Sequence, residues 1–332
     1  MSFLREAARL KERCLYITLS ESEEELRAVE DSHGWSLDGI TILEMALAEE
    51  PRQADDYTLF HPAEVELTEA MSTLLREVDR VEPLRVVFDS LSEIRLLAQG
   101  SLHYRRQILA LKQHFAGSGC TVMLLDDRTS EAGDTQLQSL AHAVVELEQL
   151  APEYGAERRR LRIIELRGVK YRGGFHDYEI TTGALVVYPR LIASEHLAGV
   201  TREHAKSGMP GLDEMLGGGL PRGGSCLFMG PPGTGKSTTS MQFALQSAER
   251  GEKAAVFVFD EAVSTVLARA ESLRMPVAKH VGSGLLQLQQ IDPAEMSPGE
   301  FVNEVRSAVA GGARVVVIDS RSSRTARSRP SW

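Results

Sequence analysis

The sequence predicts an α/β chain of two tandem units, each built on a mainly parallel central sheet. Three observations predict it. Short β-branched and aromatic runs alternate with stretches of helical periodicity. The same series of elements occurs twice, with equivalent Asp residues at 89 and 319, 230 residues apart. One of the two copies carries a glycine-rich loop between a strand-like and a helix-like run.

In chain order, residues 4–13 read as the end of a helix and 14–19 as a short buried strand. Residues 63–80 place Val65, Leu67, Met71, Leu74, Leu75 and Val78 at helical spacing, and a strand follows at 84–88. A helix over 101–115 leads through Gly117-Ser118-Gly119 into a strand at 120–125. Four later runs, 142–148, 160–166, 175–181 and 184–188, read as short antiparallel strands at a sheet edge. Residues 191–206 are a polar connector without strong periodicity, and the second unit starts near Ser207.

The repeat is explicit in the residues. Cys14–Glu21, Pro62-Ala-Glu-Val and Arg85-Val-Val-Phe-Asp89-Ser90 form the first series. Ala255–Glu261, Pro293-Ala-Glu-Met and Arg314-Val-Val-Val-Ile-Asp319-Ser320 form the second. Aligned this way, the segment of the second unit at 225–237 has no counterpart after Met1, and the second series stops soon after Ser320. Both units are therefore expected to be incomplete, the first without its glycine-rich loop and the second without its back half.

Composition narrows the function classes. The chain has 332 residues, 42% hydrophobic and 25% charged, with 37 Lys and Arg against 47 Asp and Glu. These are globular values, and a net charge of −10 argues against broad nucleic-acid affinity. The last twelve residues hold four Arg and no acid, leaving 33 basic against 47 acidic groups, a net −14, over residues 1–320. That tail, 321–332, has no helical pattern and reads as a disordered basic segment that does not continue the repeat. A gene-boundary or reading-frame artefact explains its abrupt start better than a basic arm for nucleic acid. No run approaches 18 apolar residues and the N-terminus is charged, so neither a membrane span nor a signal peptide is predicted. Cys14, Cys120 and Cys226 are far apart and lie in apolar runs, which reads as buried thiols in a cytoplasmic protein.

The loop Gly230-Pro231-Pro232-Gly233-Thr234-Gly235-Lys236-Ser237 matches the pattern G-x-x-x-x-G-K-[ST] in full. Ser225–Met229 before it reads as a strand, and the residues from Thr238 onward read as a helix. Such a loop wraps a phosphate with converging N–H groups at the positive end of a helix. Lys236 is placed to meet the β- and γ-phosphates, and Ser237 to ligate Mg²⁺. Asp319, closing the strand Val315–Ile318, is the second Mg²⁺-directing residue. Asp260 and Glu261 end another strand, where a carboxylate can orient or deprotonate an attacking water. An acidic pair that only complements a helix dipole is the other reading of that pair.

Ser207-Gly-Met-Pro-Gly-Leu-Asp-Glu-Met-Leu-Gly-Gly-Gly-Leu-Pro-Arg-Gly223, followed by the loop, the Asp-Glu strand end and the Asp-Ser strand end, resembles the KaiC branch of the RecA-type ATPases. In the first unit, Arg85–Ser92 resembles that family's second nucleotide strand, and Leu166-Arg167-Gly168 with Gly173–Asp177 resembles the segment it presents to a neighbouring subunit's nucleotide. The resemblance covers nearly all of the chain to Ser320. It implies tandem RecA-like domains: residues 1–195 without the phosphate loop, a linker over 196–206, and the front half of a second domain over 207–320. It further implies ATP and Mg²⁺ as ligands, a homo-oligomer (a hexamer in the family) with ATP between subunits, and unidentified regulatory protein partners. Slow ATP hydrolysis is the activity it implies first; a Ser/Thr autokinase of the circadian type and a non-hydrolysing nucleotide-binding scaffold are the alternatives.

The sequence departs from the family at several positions. Ser20-Glu21 stands where the family has two carboxylates, and Glu165-Leu-Arg-Gly168 stands where it has Lys-x-Arg-Gly. Arg167 is carried over as a contact to a neighbour's nucleotide; an Arg on a solvated edge strand is the other reading. His176 keeps its place in the same segment, equally as a structural hydrogen-bonding residue. Of the positions matching the family's phosphorylation pair, Gln138 and Ser139, only Ser139 can accept phosphate.

Overall fold

The computed structural model describes residues 1–45, 62–98, 100–127, 138–192, 195 and 203–320. The basic tail and most of the expected linker lie outside the described residues. The chain divides into two compact units. One comprises Met1–Val145, Ile163–Arg172 and Glu179–Val186; the other comprises Glu146–Arg162, Gly173–Tyr178 and the chain from Val187 onward.

The first unit runs α1 (Ser2–Arg9), β1 (Cys14–Thr18), α2 (Glu23–His33), β2 (Thr41–Glu44), α3 (Pro62–Val81), β3 (Arg85–Asp89), α4 (Leu91–Leu97), α5 (Ser101–Phe115) and β4 (Thr121–Leu124). Its sheet is parallel, in the order β2-β1-β3-β4. All five residues of β1 are buried, as a central strand of a sheet covered on both faces requires. Leu15 and Ile17 pack with α3, α4 and α5 through Leu74, Ile94 and Ile108. Cys14 and Tyr16 point to the other face, against Leu4 and Ala7 of α1 and Leu26 of α2. A capping box, Ser22 with Glu25, starts α2.

β5 (Ala143–Leu150), β6 (Arg158–Leu166), β7 (His176–Thr181) and β8 (Ala184–Tyr188) form a four-stranded sheet of their own. β6 and β7 are antiparallel, as expected. They do not extend the first unit's parallel sheet. A ladder of charges ties β5 to β6: Arg160 donates to Glu148 at 2.8 Å, and Arg162 pairs with Glu146. Both guanidinium groups lie over the Phe175 ring, 3.8 and 4.8 Å from its centroid.

The second unit continues with β9 (His204–Ala205), α6 (Pro210–Met215), β10 (Leu220–Pro221), α7 (Lys236–Glu249), β11 (Lys253–Val258), α8 (Val263–Ser272), α9 (Val277–Gly282), β12 (Leu286–Gln290), α10 (Pro298–Ala310) and β13 (Ala313–Asp319). Its parallel sheet has the order β12-β11-β13, the same as β2-β1-β3 in the first unit. The register repeats as well. Thr18 sits opposite Asp89, and Val258 opposite Asp319. Ala254, Val256 and Val258 face α7 and α8, while Ala255 and Phe257 face α10, where Phe257 meets Phe301 edge-on.

Residues 225–229 differ from expectation. They form no strand with any described residue, and Leu227 and Met229 are largely exposed. In the first unit β4 lies beside β3, whereas among the described residues no strand pairs with the outer edge of β13, and this apolar run joins no ladder. Cys226 is accordingly exposed rather than buried, and Cys120 is half-buried; only Cys14 is buried, donating weakly to the carbonyls of Leu4 and Gly39.

The lead-in to the loop is held by polar contacts. Asp213 accepts from the Ser207 N–H at 2.7 Å, the Ser207 hydroxyl at 2.8 Å and the Gly208 N–H at 3.2 Å. Gly219, in the left-handed region, passes so close that a Cβ would stand 2.5 Å from the Ala205 carbonyl oxygen. Arg222 donates to both oxygens of Glu252, at 2.6 and 2.8 Å, pinning the lead-in to the turn between α7 and β11. The Arg222 guanidinium holds the Glu252 carboxyl below its ordinary range. A carboxyl lowered by folding adds stability above its unfolded pKa, about 4.3, and loses it as pH falls through the folded value. Glu252→Gln should therefore cost about 1 kcal/mol at pH 7, and urea titrations should show the gap to wild type closing below about pH 4.

Candidate functional site

The second unit's parallel sheet decides where its chemistry lies. β11 and β13 run in the same direction, so Val258 and Asp319 end side by side, and the Phe259 N–H donates to the Asp319 carbonyl at 3.2 Å. Asp260 and Glu261 follow directly at that edge. α7 packs along β11 and β13, and its last turn lies one short turn before β11 begins. A 14-residue helix spans about 21 Å, close to the length of the strands it covers. Its N-terminus, and with it the glycine-rich loop, therefore points toward the edge that carries Asp319.

The loop itself is built. Gly233 and Gly235 have φ of +83° and +86°, a region that side-chain-bearing residues rarely adopt. Gly235 is the N-cap of α7, and no side chain caps that helix. Its first-turn N–H groups thus remain available to an anion. Thr234 closes the loop internally, its hydroxyl donating to the Pro231 carbonyl at 2.8 Å. Lys236 curls over the loop, its ammonium donating to the carbonyls of Gly230 at 2.7 Å and Pro231 at 2.9 Å. Pro232 completes the exposed rim, and Ser237 and Thr238 are half-buried in the first turn of α7.

Asp319 is half-buried, and its carboxylate bonds to no described residue. Its counterpart Asp89 differs: it accepts a short hydrogen bond from the Tyr16 hydroxyl. Burial and the Asp89 carboxylate push the Tyr16 hydroxyl far above its ordinary range, so Tyr16 stays a donor. The strand register places Val256 at the position of Tyr16 in the second unit, so no hydroxyl takes Asp319 there.

The donor chemistry suits a nucleotide carrying Mg²⁺. Among the described residues no group of three His, Cys, Asp or Glu side chains could cage a metal. One hydroxyl, Ser237, and one carboxylate, Asp319, are what a cation needs when phosphate oxygens and water supply its other ligands.

The remaining predicted residues are placed as follows. Asp260 is exposed, while Glu261 is half-buried and forms an ion pair with Arg269 of α8, both carboxylate oxygens lying 2.6 Å from one guanidinium nitrogen. No sequence signal marked Arg269; its eight-residue separation from Glu261 becomes meaningful only once α8 is known to start at Val263. Arg167 lies in the first unit, bonded to Glu165 at 2.7 Å and to the Ser139 carbonyl at 2.8 Å. His176 is buried, its Nδ1 accepting from the Arg190 N–H at 2.9 Å, the structural arrangement of the two open readings.

A Cβ at Gly235 would meet nothing within 4 Å, so the cost of adding one is backbone strain alone. Gly235→Ala should lower unfolding free energy by about 1–2 kcal/mol in urea titrations.

A family model described as "ATPase: KaiC" matches residues 1–192 and 205–331. The chain is 23% identical over 303 residues to the circadian clock oscillator protein KaiC of Acaryochloris marina, a match spanning 89% of this chain and 57% of that protein. It is 24% identical to the circadian clock protein KaiC2 of Synechocystis, over 87% of this chain and 51% of that protein. It is also 24% identical to KaiC of Synechococcus elongatus, over 70% and 45%. The chain thus spans about half the length of the curated relatives it matches. With α/β units on parallel sheets, a built phosphate loop and a family match over most of its length, the chain belongs to the KaiC ATPase family.

Proposed function

We propose that this chain binds Mg·ATP at the Gly230–Thr238 loop of its second unit and hydrolyses it slowly, as part of a homo-oligomeric regulator. The observation that carries the reading is the loop: left-handed Gly233 and Gly235, an uncapped α7 N-terminus and Lys236 folded over the cradle. In this reading the first-turn N–H groups hold the phosphates and Lys236 exchanges its carbonyl partners for β- and γ-phosphate oxygens. Ser237 and Asp319 hold Mg²⁺, which supplies charge neutralisation on those oxygens. Glu261 or Asp260 orients the attacking water. Assembly comes from the family, as does Arg167 as the basic residue lent to a neighbouring copy; to act so, Arg167 must leave Glu165. The acidic net charge and the lack, among the described residues, of a helix able to cross a membrane favour protein partners over nucleic acid or lipid.

A nucleotide-binding scaffold without turnover is the second reading. It is favoured by the unpaired run at 225–229 and by the ion pair that occupies Glu261. Phosphate release and ATP binding measured on one sample separate the two. Binding with release above background supports the ATPase, and binding without release supports the scaffold. In calorimetric titrations Lys236→Ala should weaken ATP binding more than about tenfold, the loss of a charge-assisted phosphate contact. Unchanged affinity would rule out the loop as the site. Intact mass after incubation with Mg·ATP should show no added phosphate; added phosphate on Ser139 would instead favour the autokinase.

A further inference from the structure

Glu261 does not stand free at the sheet edge. Its carboxylate is 14% exposed, and both of its oxygens lie 2.6 Å from one nitrogen of Arg269, itself 30% exposed. Arg269 is in the last turn of α8. Helical side chains lean toward the N-terminus, so a long one there reaches back to residues that precede the helix. The carboxylate that a water at the γ-phosphate would need is thus drawn along α8 by a fixed cation. An acceptor holding two charge-assisted bonds is restricted in direction.

The repeat provides an internal comparison. Pairing of Thr18 and Val258 with their respective strand-end Asp residues aligns Glu21 with Glu261 and α2 with α8. Both units keep the Glu. The position of Arg269, however, is Val29 in the first unit, and Val29 is exposed. The cation occurs only in the unit that carries a phosphate loop. Asp260, next in line at the same edge, is exposed and joined by no ion pair among the described residues.

We propose that Arg269 is a positioning residue that restrains Glu261, the general base for ATP hydrolysis, and so holds turnover slow. The proposal rests on the reading of the loop as an ATPase site. In the reaction a water oxygen bonds to the γ-phosphorus, and the bond from that phosphorus to the β–γ bridging oxygen breaks. The bridging oxygen leaves with ADP, and the water's proton passes to Glu261. Release from Arg269 frees the carboxylate for that proton and leaves phosphate binding untouched.

The test is steady-state phosphate release by the full chain with Mg·ATP, alongside ATP affinity by calorimetry, for wild type, Arg269→Gln, Arg269→Lys, Glu261→Gln and the double variant Arg269→Gln/Glu261→Gln. Arg269→Gln should raise kcat about fivefold, the value of one partly exposed ion pair, with ATP affinity unchanged. Arg269→Lys, which returns a cation within reach of Glu261, should fall back toward the wild-type rate. Glu261→Gln should remove turnover in either background while ATP still binds. Unchanged ATP affinity certifies folding; if Arg269→Gln loses it, Arg269→Met, closer in volume, takes its place. A kcat that is unchanged or lower on removing Arg269 overturns the proposal. If wild type turns over in that case, the ATPase reading stands alone. If no variant releases phosphate while all bind ATP, both are overturned.

Discussion

Everything at the second unit's site depends on one constraint, the parallel pairing of β11 with β13 in a register that sets Val258 beside Asp319. Parallel strands deliver their C-terminal ends to one edge, and helices on both faces make that edge the place where polar groups meet solvent. The register is held by burial: Ala254, Val256 and Val258 fill one face and Ala255 and Phe257 the other. A slip of one residue would send each of these to the wrong side. Asp319, Asp260 and Glu261 share an edge because the apolar residues behind them cannot be shifted.

The first unit uses the same architecture to a different end. Its strand order and register repeat those of the second, and α1 precedes β1 as α7 precedes β11. Yet Tyr16 points from the face that packs on α1 and ties up Asp89. Glu21 is joined by no ion pair among the described residues; partial burial, with Asp89 and Glu25 nearby, raises its carboxyl above the ordinary range. A shared backbone plan therefore holds two different edges. One has its strand-end Asp capped by a tyrosine. The other leaves Asp319 open next to the glycine-rich loop and pairs its Glu with an arginine.

The loop, the two Asp-terminated strands and the long helices were legible in the sequence because each carries a local signal: glycines at fixed spacing, β-branched runs, apolar residues at helical period. β2 and β12 were not. Thr41–Glu44 is a short edge strand, and Leu286–Gln290 carries three glutamines, so neither looks like a buried run. The strand expected at 225–229 fails for the opposite reason: its residues suit a strand, but pairing is a property of a neighbour, not of the run itself. Polar capture was equally hidden. Glu165, which stands where the family has a Lys, holds Arg167 at 2.7 Å. Arg269 meets Glu261 across two turns of helix, a relation that no spacing rule for isolated residues would pick out.

We propose a single Mg·ATP site, in the second unit, at the N-terminus of α7. Hydrogen–deuterium exchange of the full chain with and without Mg·ATP tests it most directly, because it reads both sheet edges in one experiment. Exchange should slow over 231–241 and at the end of β13, with residues 85–91 of the first unit unchanged. Protection at 85–91, or none over 231–241, would contradict it.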